Sequence, residues 1–147
     1  MTIAVHNRQK RVRFDLPWLK KIARSALGEC SKRVAPGTAL SSLEAVDVTI
    51  VSDEEIAAVH KGFMDLPGAT DVITFDHGEI IISADTAVQN AAHFVQPLEH
   101  ELALYVIHGL LHLNGYDDQQ PAAAAQMRQL QESILRQCLD ASAPSSR

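Results

Sequence analysis

The stretch His108-Gly109-Leu110-Leu111-His112-Leu113-Asn114-Gly115-Tyr116-Asp117-Asp118 decides how the rest of the chain is read. Two histidines four residues apart share one helical face, with Cβ atoms about 5–6 Å apart. From there both imidazoles reach a single metal ion, for which zinc needs bonds of about 2.0–2.1 Å and a third protein ligand. Gly115 is a natural left-handed helix stop. Beyond it the chain can double back and bring Asp117 or Asp118 to the same ion, and an aspartate oxygen is an accepted zinc ligand. The competing reading is a pair of core histidines satisfied by backbone oxygens.

Spacing then separates peptidase chemistry from other metal chemistry. A family of zinc peptidases carries H-E-x-x-H-x-x-G-x-x-H, three metal histidines with a glycine turn before the third. Here His108, His112 and Gly115 match, the third-ligand place falls on Asp118, and the place of the catalytic glutamate falls on Gly109. That glutamate is the general base of those enzymes. The chain therefore keeps a metal cage and lacks the peptidase base. Asp118 also suits the N-cap of a helix opening at Pro121, but the site is read as His108, His112 and Asp118 holding one zinc ion. Asp117 is placed behind them, orienting a metal-bound imidazole or capping the turn.

Working outward, Pro97 starts the helix that carries the histidines. Leu98, Leu102, Leu104, Val106, Leu110 and Leu113 make it apolar nearly all round, which puts it in the core. Upstream, Thr2–His6 alternates as a strand, and Asp15 caps a helix with Pro17 in its first turn. Leu19, Ile22, Ala23, Ala26, Leu27 and Cys30 form the buried stripe of that helix. Pro36-Gly37 and Ser41-Ser42 mark a loop, and Val46, Val48 and Ile50 alternate as a second strand. Ser52-Asp53-Glu54-Glu55 is a capping box. The helix it opens buries Ile56, Val59 and Phe63 and ends before Pro67-Gly68. Asp71–Phe75 and Glu79–Ser83 read as a hairpin through His77-Gly78. Ser83 caps a short helix over Asp85–Ala92, and Pro121 opens a last helix with Met127, Leu130, Ile134 and Cys138 on one face. The order predicts an α+β single domain over residues 1–141. About four strands form a small mixed sheet, packed with about five helices around the central metal helix. Residues 142–147 read as a frayed tail.

The 147 residues are 46% hydrophobic and 21% charged, ordinary for one globular domain. Cys30 and Cys138 make no C-x-x-C pair and read as reduced thiols of a cytoplasmic protein. No secretory h-region precedes them, and the apolar run near Leu102–Leu113 is too short to span a bilayer, so no membrane partner is expected. Net charge is −5, yet residues 1–33 hold nine Lys/Arg against Asp15 and Glu29, while the remainder holds four basic and sixteen acidic residues. Such asymmetry can place a basic face on an acidic protein. A solvated helix surface and a charged loop explain it equally well.

At the histidine stretch, together with Thr70-Asp71-Val72-Ile73-Thr74-Phe75 and Gly78-Glu79-Ile80-Ile81-Ile82, the chain resembles the YbeY family over most of its length. That family comprises bacterial metal-dependent endoribonucleases of rRNA maturation and ribosome quality control, with the pattern H-G-x-L-H-L-x-G-Y-D-H. The resemblance implies a cytoplasmic single-strand-type endoribonuclease. A metal-activated water would cleave RNA phosphodiesters, with rRNA and the small ribosomal subunit as partners. No protein catalytic group is assigned beyond that water. It also makes the Thr70-Asp71 loop a cleft wall. Two departures stand out: Asp118 occupies the place of the family's third histidine, and Lys61 and Met64 lie where an arginine is usual. Lys61, Arg8, Lys10, Arg11 and Arg13 are the RNA-binding candidates. The alternative function is a non-catalytic ribosome-assembly factor with a structural zinc.

Overall fold

The computed structural model describes residues 1–64 and 70–142. Its elements are β1 (Thr2–Asn7), α1 (Leu16–Ser31), α2 (Ala39–Ser42), β2 (Ala45–Val51), α3 (Asp53–Met64), β3 (Val72–Phe75), β4 (Glu79–Ser83), α4 (Ala84–His93), α5 (Leu98–Leu113) and α6 (Pro121–Ser142). The expected α3 stop before Pro67-Gly68 and burial of Phe63 fall outside what is described, as does the tail beyond Ser142. Among the described residues there are six helices where about five were expected. The addition is the single turn α2, within the stretch read as a loop. Its four residues carry no side-chain cap, so no local signal distinguishes it from a turn.

Local chemistry sets the other boundaries. The Asp15 carboxylate accepts from the Trp18 amide at 3.0 Å, and the Ser52 hydroxyl accepts from Glu55 at 3.2 Å. Ser83 Oγ accepts from Thr86 at 3.1 Å. Each supplies an acceptor to a helix amide that has none within the helix. The α3 and α4 starts are also bound to each other. The Asp85 carboxylate accepts the Asp53 amide at 2.8 Å, and the Asp53 carboxylate accepts the Ser83 and Thr86 hydroxyls. The hairpin turns through Asp76-His77-Gly78, with Gly78 at φ +100, a conformation that suits a residue without Cβ.

The strand order is β1-β2-β4-β3, with β1–β2 and β2–β4 parallel and β3–β4 antiparallel. In this register Val48 lies beside Ile80 and Ile50 beside Ile82. Those side chains point to one face and join a core with Leu19, Ile22, Leu102, Val106, Ile107, Leu110 and Ile134. The opposite face buries Val51, Ile73 and Ile81 against Ile56 of α3. Both faces are covered, which is why β4 is nearly continuous in apolar residues. Helix α5 packs against α1, α4, α6, β3 and β4. No helix among the described residues is long and apolar enough to cross a membrane.

Candidate metal centre and the clefts beside it

Gly109 sets how closely α5 approaches the sheet. A Cβ there would lie 2.7 Å from Ile80 Cδ1 and 3.0 Å from both Ile80 Cγ atoms. Position 109 therefore faces β4, and a glutamate has no room. The missing base of the peptidase pattern is thus also a packing requirement, and it leaves His108 and His112 on another face of the helix.

At its C-terminus α5 closes with the Gly115 amide on His112 O (3.0 Å) and the Tyr116 amide on Leu111 O (3.0 Å). Gly115 is at φ +90, so the pattern is the glycine helix stop that the sequence predicts. Asn114 fastens this turn to the rest of the protein. Its Oδ1 accepts the Ala35 amide and its Nδ2 donates to Arg33 O, both at 2.9 Å. The reversal delivers two groups to the histidines, the Tyr116 carbonyl and the Asp118 carboxylate.

The three side chains converge. His108 Nε2 and His112 Nε2 are 3.0 Å apart, with Asp118 Oδ2 3.6 Å from the first and Oδ1 3.9 Å from the second. A tetrahedral ion with bonds of about 2.0–2.1 Å sets its ligand atoms about 3.4 Å apart. The observed separations bracket that value.

The imidazole tautomers fit the same purpose. His108 Nδ1 donates to Gln131 Oε1 at 3.0 Å, and His112 Nδ1 donates to Tyr116 O at 3.1 Å. Both outer nitrogens face acceptors, so both carry the proton, and both Nε2 lone pairs point into one small space. Two lone pairs 3.0 Å apart repel, and a cation between them resolves the conflict. Metal-bound histidines are commonly oriented in this way, by an oxygen on the other ring nitrogen. Burial lowers the His112 pKa, with help from neighbouring His108 and opposition from Asp118. This keeps the ring neutral, as a ligand must be.

Asp117 is exposed and its Oδ1 accepts the Gln119 amide at 3.2 Å, so it shapes the turn. The residues that hold the imidazoles are Gln131 and the Tyr116 backbone. Glu101 is buried on α5 and bound by Gln96. It lies outside the trio that can hold a metal.

Two cavities flank His108. The smaller, of about 310 Å³, is lined by His60, Thr70, Thr74, Asp76 and both site histidines. The larger, of about 640 Å³, is lined by residues that include Asp71, Asn90, Phe94, Tyr105, His108, Arg128 and Gln131. The Thr70-Asp71 loop is thus a wall between them, as the resemblance implies. His60, on α3, faces this smaller cleft as well. Gln131 and Arg128 gave no sequence signal, because they lie on α6 at positions that only the packing of α5 and α6 brings to the site.

The basic candidates lie elsewhere. Arg8 pairs with Glu55 at 3.5 Å and Arg11 with Asp85 at 3.7 Å. Lys10, Arg13 and Lys61 are exposed. None of the five lines either cavity beside His108.

Comparison with known proteins agrees with this geometry. The family model described as Endoribonuclease YbeY matches residues 4–139. The Endoribonuclease YbeY of Symbiobacterium thermophilum is 34% identical, over 92% of this chain and 96% of its own length. That of Mycobacterium marinum is 33% identical, over 81% of this chain and 73% of its own. A Thermotoga maritima protein solved in solution superposes with a TM-score of 0.64 at 26% identity, covering 99% of each chain. A two-histidine helix, a glycine turn, a hairpin wall and a sequence match over nearly the whole chain lead to one conclusion: the chain belongs to the endoribonuclease YbeY family.

Proposed function

We propose that this endoribonuclease cleaves RNA phosphodiesters in rRNA maturation at one divalent ion held by His108, His112 and Asp118. The observation that carries the reading is the pair of Nε2 atoms 3.0 Å apart, each ring with an oxygen at hydrogen-bond distance from its Nδ1. Zinc is the ion that two imidazoles and a carboxylate suit best. When bound, it supplies Lewis-acid polarisation of a phosphoryl oxygen and acidifies a water toward neutrality.

The chain's own groups do the rest. Gln131 and the Tyr116 carbonyl keep both rings in the ligating tautomer. Asp118 adds a negative charge where the family pattern has a neutral ring, so this centre is a weaker electrophile than a three-histidine one. Asp117 steadies the loop that carries Asp118. The open cavities on both sides of His108 leave room for the RNA chain to cross the site. They support hydrolysis over a structural ion, whose ligand shell is closed. Lys10, Arg13 and Lys61, which make no ion pair among the described residues, are kept as outer phosphate contacts. Arg8 and Arg11 contribute there only when their carboxylates release them. A cytoplasmic location and a small-ribosomal-subunit partner complete the reading.

Elemental analysis of protein purified without added metal tests the centre, alongside an RNA-cleavage assay. Near-stoichiometric zinc is expected, lost together with cleavage in His112→Ala. Under chelator challenge Asp118→Asn should release metal faster than wild type, Asp117→Asn less so, and Asp118→His should retain it with equal or greater activity. Full metal content in His108→Ala and in His112→Ala would overturn the site. Equal retention by wild type and Asp118→Asn would remove Asp118 from it.

A further inference from the structure

The larger cavity beside His108 carries an aromatic side chain that the fold does not use. Phe94 is 63% exposed and Val95 beside it 90% exposed, and Phe94 lies on the cavity wall with Asn90, Arg128 and Gln131. Among the described residues the Phe94 ring makes one ring contact, T-shaped with neighbouring His93 at 4.8 Å between centroids, and 63% of the residue stays exposed. Helix α4 ends there in the same hydrogen-bond pattern as α5, with Val95 on Ala92 O and Gln96 on Ala91 O. In α5 the left-handed residue is glycine. In α4 it is Val95, at φ 53, a strained choice for a β-branched side chain. Packing does not account for it, since the two side chains presented at this turn are in solvent. The turn puts Phe94 at the rim and sends Gln96 inward to Glu101.

The cavity has the size of a small-molecule site and shares His108 with the metal centre. Two of its three carboxylates are engaged, and the third, Glu132, is exposed on α6 one helical turn from Arg128. Glu101 is bound by Gln96, and Asp71 by the Val72 amide and the Thr70 hydroxyl. Arg128 is the one Arg or Lys among its lining residues, and it makes no ion pair among the described residues. An open aromatic face and a nearby guanidinium are the pair that holds single-stranded nucleic acid, the ring taking a base and the cation its phosphate.

Resting on the ribonuclease reading above, we propose that Phe94 and Arg128 form a nucleobase subsite. A base flanking the scissile phosphate stacks on Phe94, and Arg128 pairs with the adjoining phosphate. Phe94 is thus a positioning residue for the reaction and touches no reacting atom. Asn90 uses one amide proton on Tyr105 Oη, at 2.7 Å, and keeps its carbonyl and second proton for the edge of that base.

The test uses the full-length metal-loaded protein and an end-labelled RNA oligonucleotide cut at one position, in versions with an abasic residue at successive places. In wild type, one abasic place beside the cut should lower kcat/KM about tenfold, the scale of one base–aromatic stack. Phe94→Ala should lower kcat/KM for the intact oligonucleotide by a similar factor and be indifferent to that abasic place, and Phe94→Trp should restore both. Arg128→Gln should raise KM and reduce the salt dependence of binding by about one phosphate contact. A parallel arm without turnover uses an oligonucleotide with 2-aminopurine at the same place and chelator present. Quenching by wild type but not by Phe94→Ala supports the subsite. Equal abasic penalties in wild type and Phe94→Ala, or equal quenching by both, overturn it. Failure of the metal-loaded wild type to cut any RNA would instead overturn the ribonuclease reading, with the quenching arm still deciding the subsite.

Discussion

Gly109→Ala adds one methyl group where α5 crosses β4, and its effect follows from the contact distances. The new Cβ would lie 2.7 Å from Ile80 Cδ1 and 3.0 Å from Cγ1 and Cγ2, against the roughly 3.5–4.0 Å of an ordinary carbon–carbon contact. Ile80 is fully buried and β-branched, between β2 and β3 in the sheet, so it has little freedom to turn away. Overpacking of this kind costs about 1–3 kcal/mol. Alanine's better helix propensity returns about 1 kcal/mol, leaving a net loss of up to about 2 kcal/mol. Displacement of α5 would also move His108, the preceding residue, relative to Asp118, so metal affinity should fall with stability. Ile80→Val removes Cδ1, the nearest atom, and alone costs about 0.5–1.5 kcal/mol. The double variant should therefore lose less than the two single changes added together. Urea unfolding gives the comparison, provided the slope m is constant across the four proteins. Gly109→Ala more stable than wild type, or strict additivity in the double variant, would refute the close-approach argument.

Three further outcomes are expected. His112 is held below the ordinary imidazole range by burial and His108, so between its folded and unfolded values the unfolded chain binds the extra proton. Its contribution to stability is full above the unfolded value of about 6.5 and lost as pH falls through the folded one. The melting temperature of chelated protein should drop on acidification more in wild type than in His112→Gln, and identical pH profiles would exclude this role. Asn114→Ala strands the Ala35 amide and Arg33 carbonyl and should cost about 1–3 kcal/mol, read as a shift in urea midpoint. Cys30 and Cys138 are fully buried, and burial pushes the Cys30 thiol up to about 12. Native protein should leave both thiols unlabelled by a disulfide reagent at pH 8, and urea should expose both. Rapid labelling of native protein would contradict the packing.

What could be read from the sequence was what short-range chemistry decides. Asp15, Ser52 and Ser83 announce helix starts because each fills a local need for an acceptor. Gly115 announces a stop because its backbone is left-handed. Alternation in Val46-Asp47-Val48-Thr49-Ile50 gives a strand, and the stripe from Leu19 to Cys30 gives a buried helix face. The histidine pair was legible for the same reason, since its spacing is one helical turn. Partners delivered by tertiary packing were not. Gln131 reaches His108 from α6, 23 positions away, and Asn114 reaches Arg33 and Ala35 across about 80. His60 joins the cleft only because of how its helix lies against the rest of the fold. The basic segment shows the converse failure. Its residues are as charged as the sequence says, but Glu55 and Asp85 lie where two of them are partly neutralised.

The arrangement also shows what an aspartate in the proposed third-ligand place would ask of the fold. His108 and His112 rise from a helix packed on α1, α4, α6, β3 and β4, and their side chains are only 22% and 29% exposed. Moving either ring means moving the core or giving up a hydrogen bond to Gln131 or Tyr116. Asp118 is 47% exposed, on a loop past the Gly115 turn, and no hydrogen bond among the described residues fixes its carboxylate. The histidine positions are therefore constrained by packing and by chemistry, whereas position 118 answers to chemistry alone. A substitution there changes the charge at the centre and leaves the frame intact. Replacing imidazole by carboxylate weakens the electrophile but adds direct attraction for a dication across a gap of 3.6 to 3.9 Å from the ring nitrogens. Asp118→His should then keep its metal better than Asp118→Asn and cut RNA at least as fast as wild type, while unfolding of the metal-free protein should hardly distinguish it from wild type.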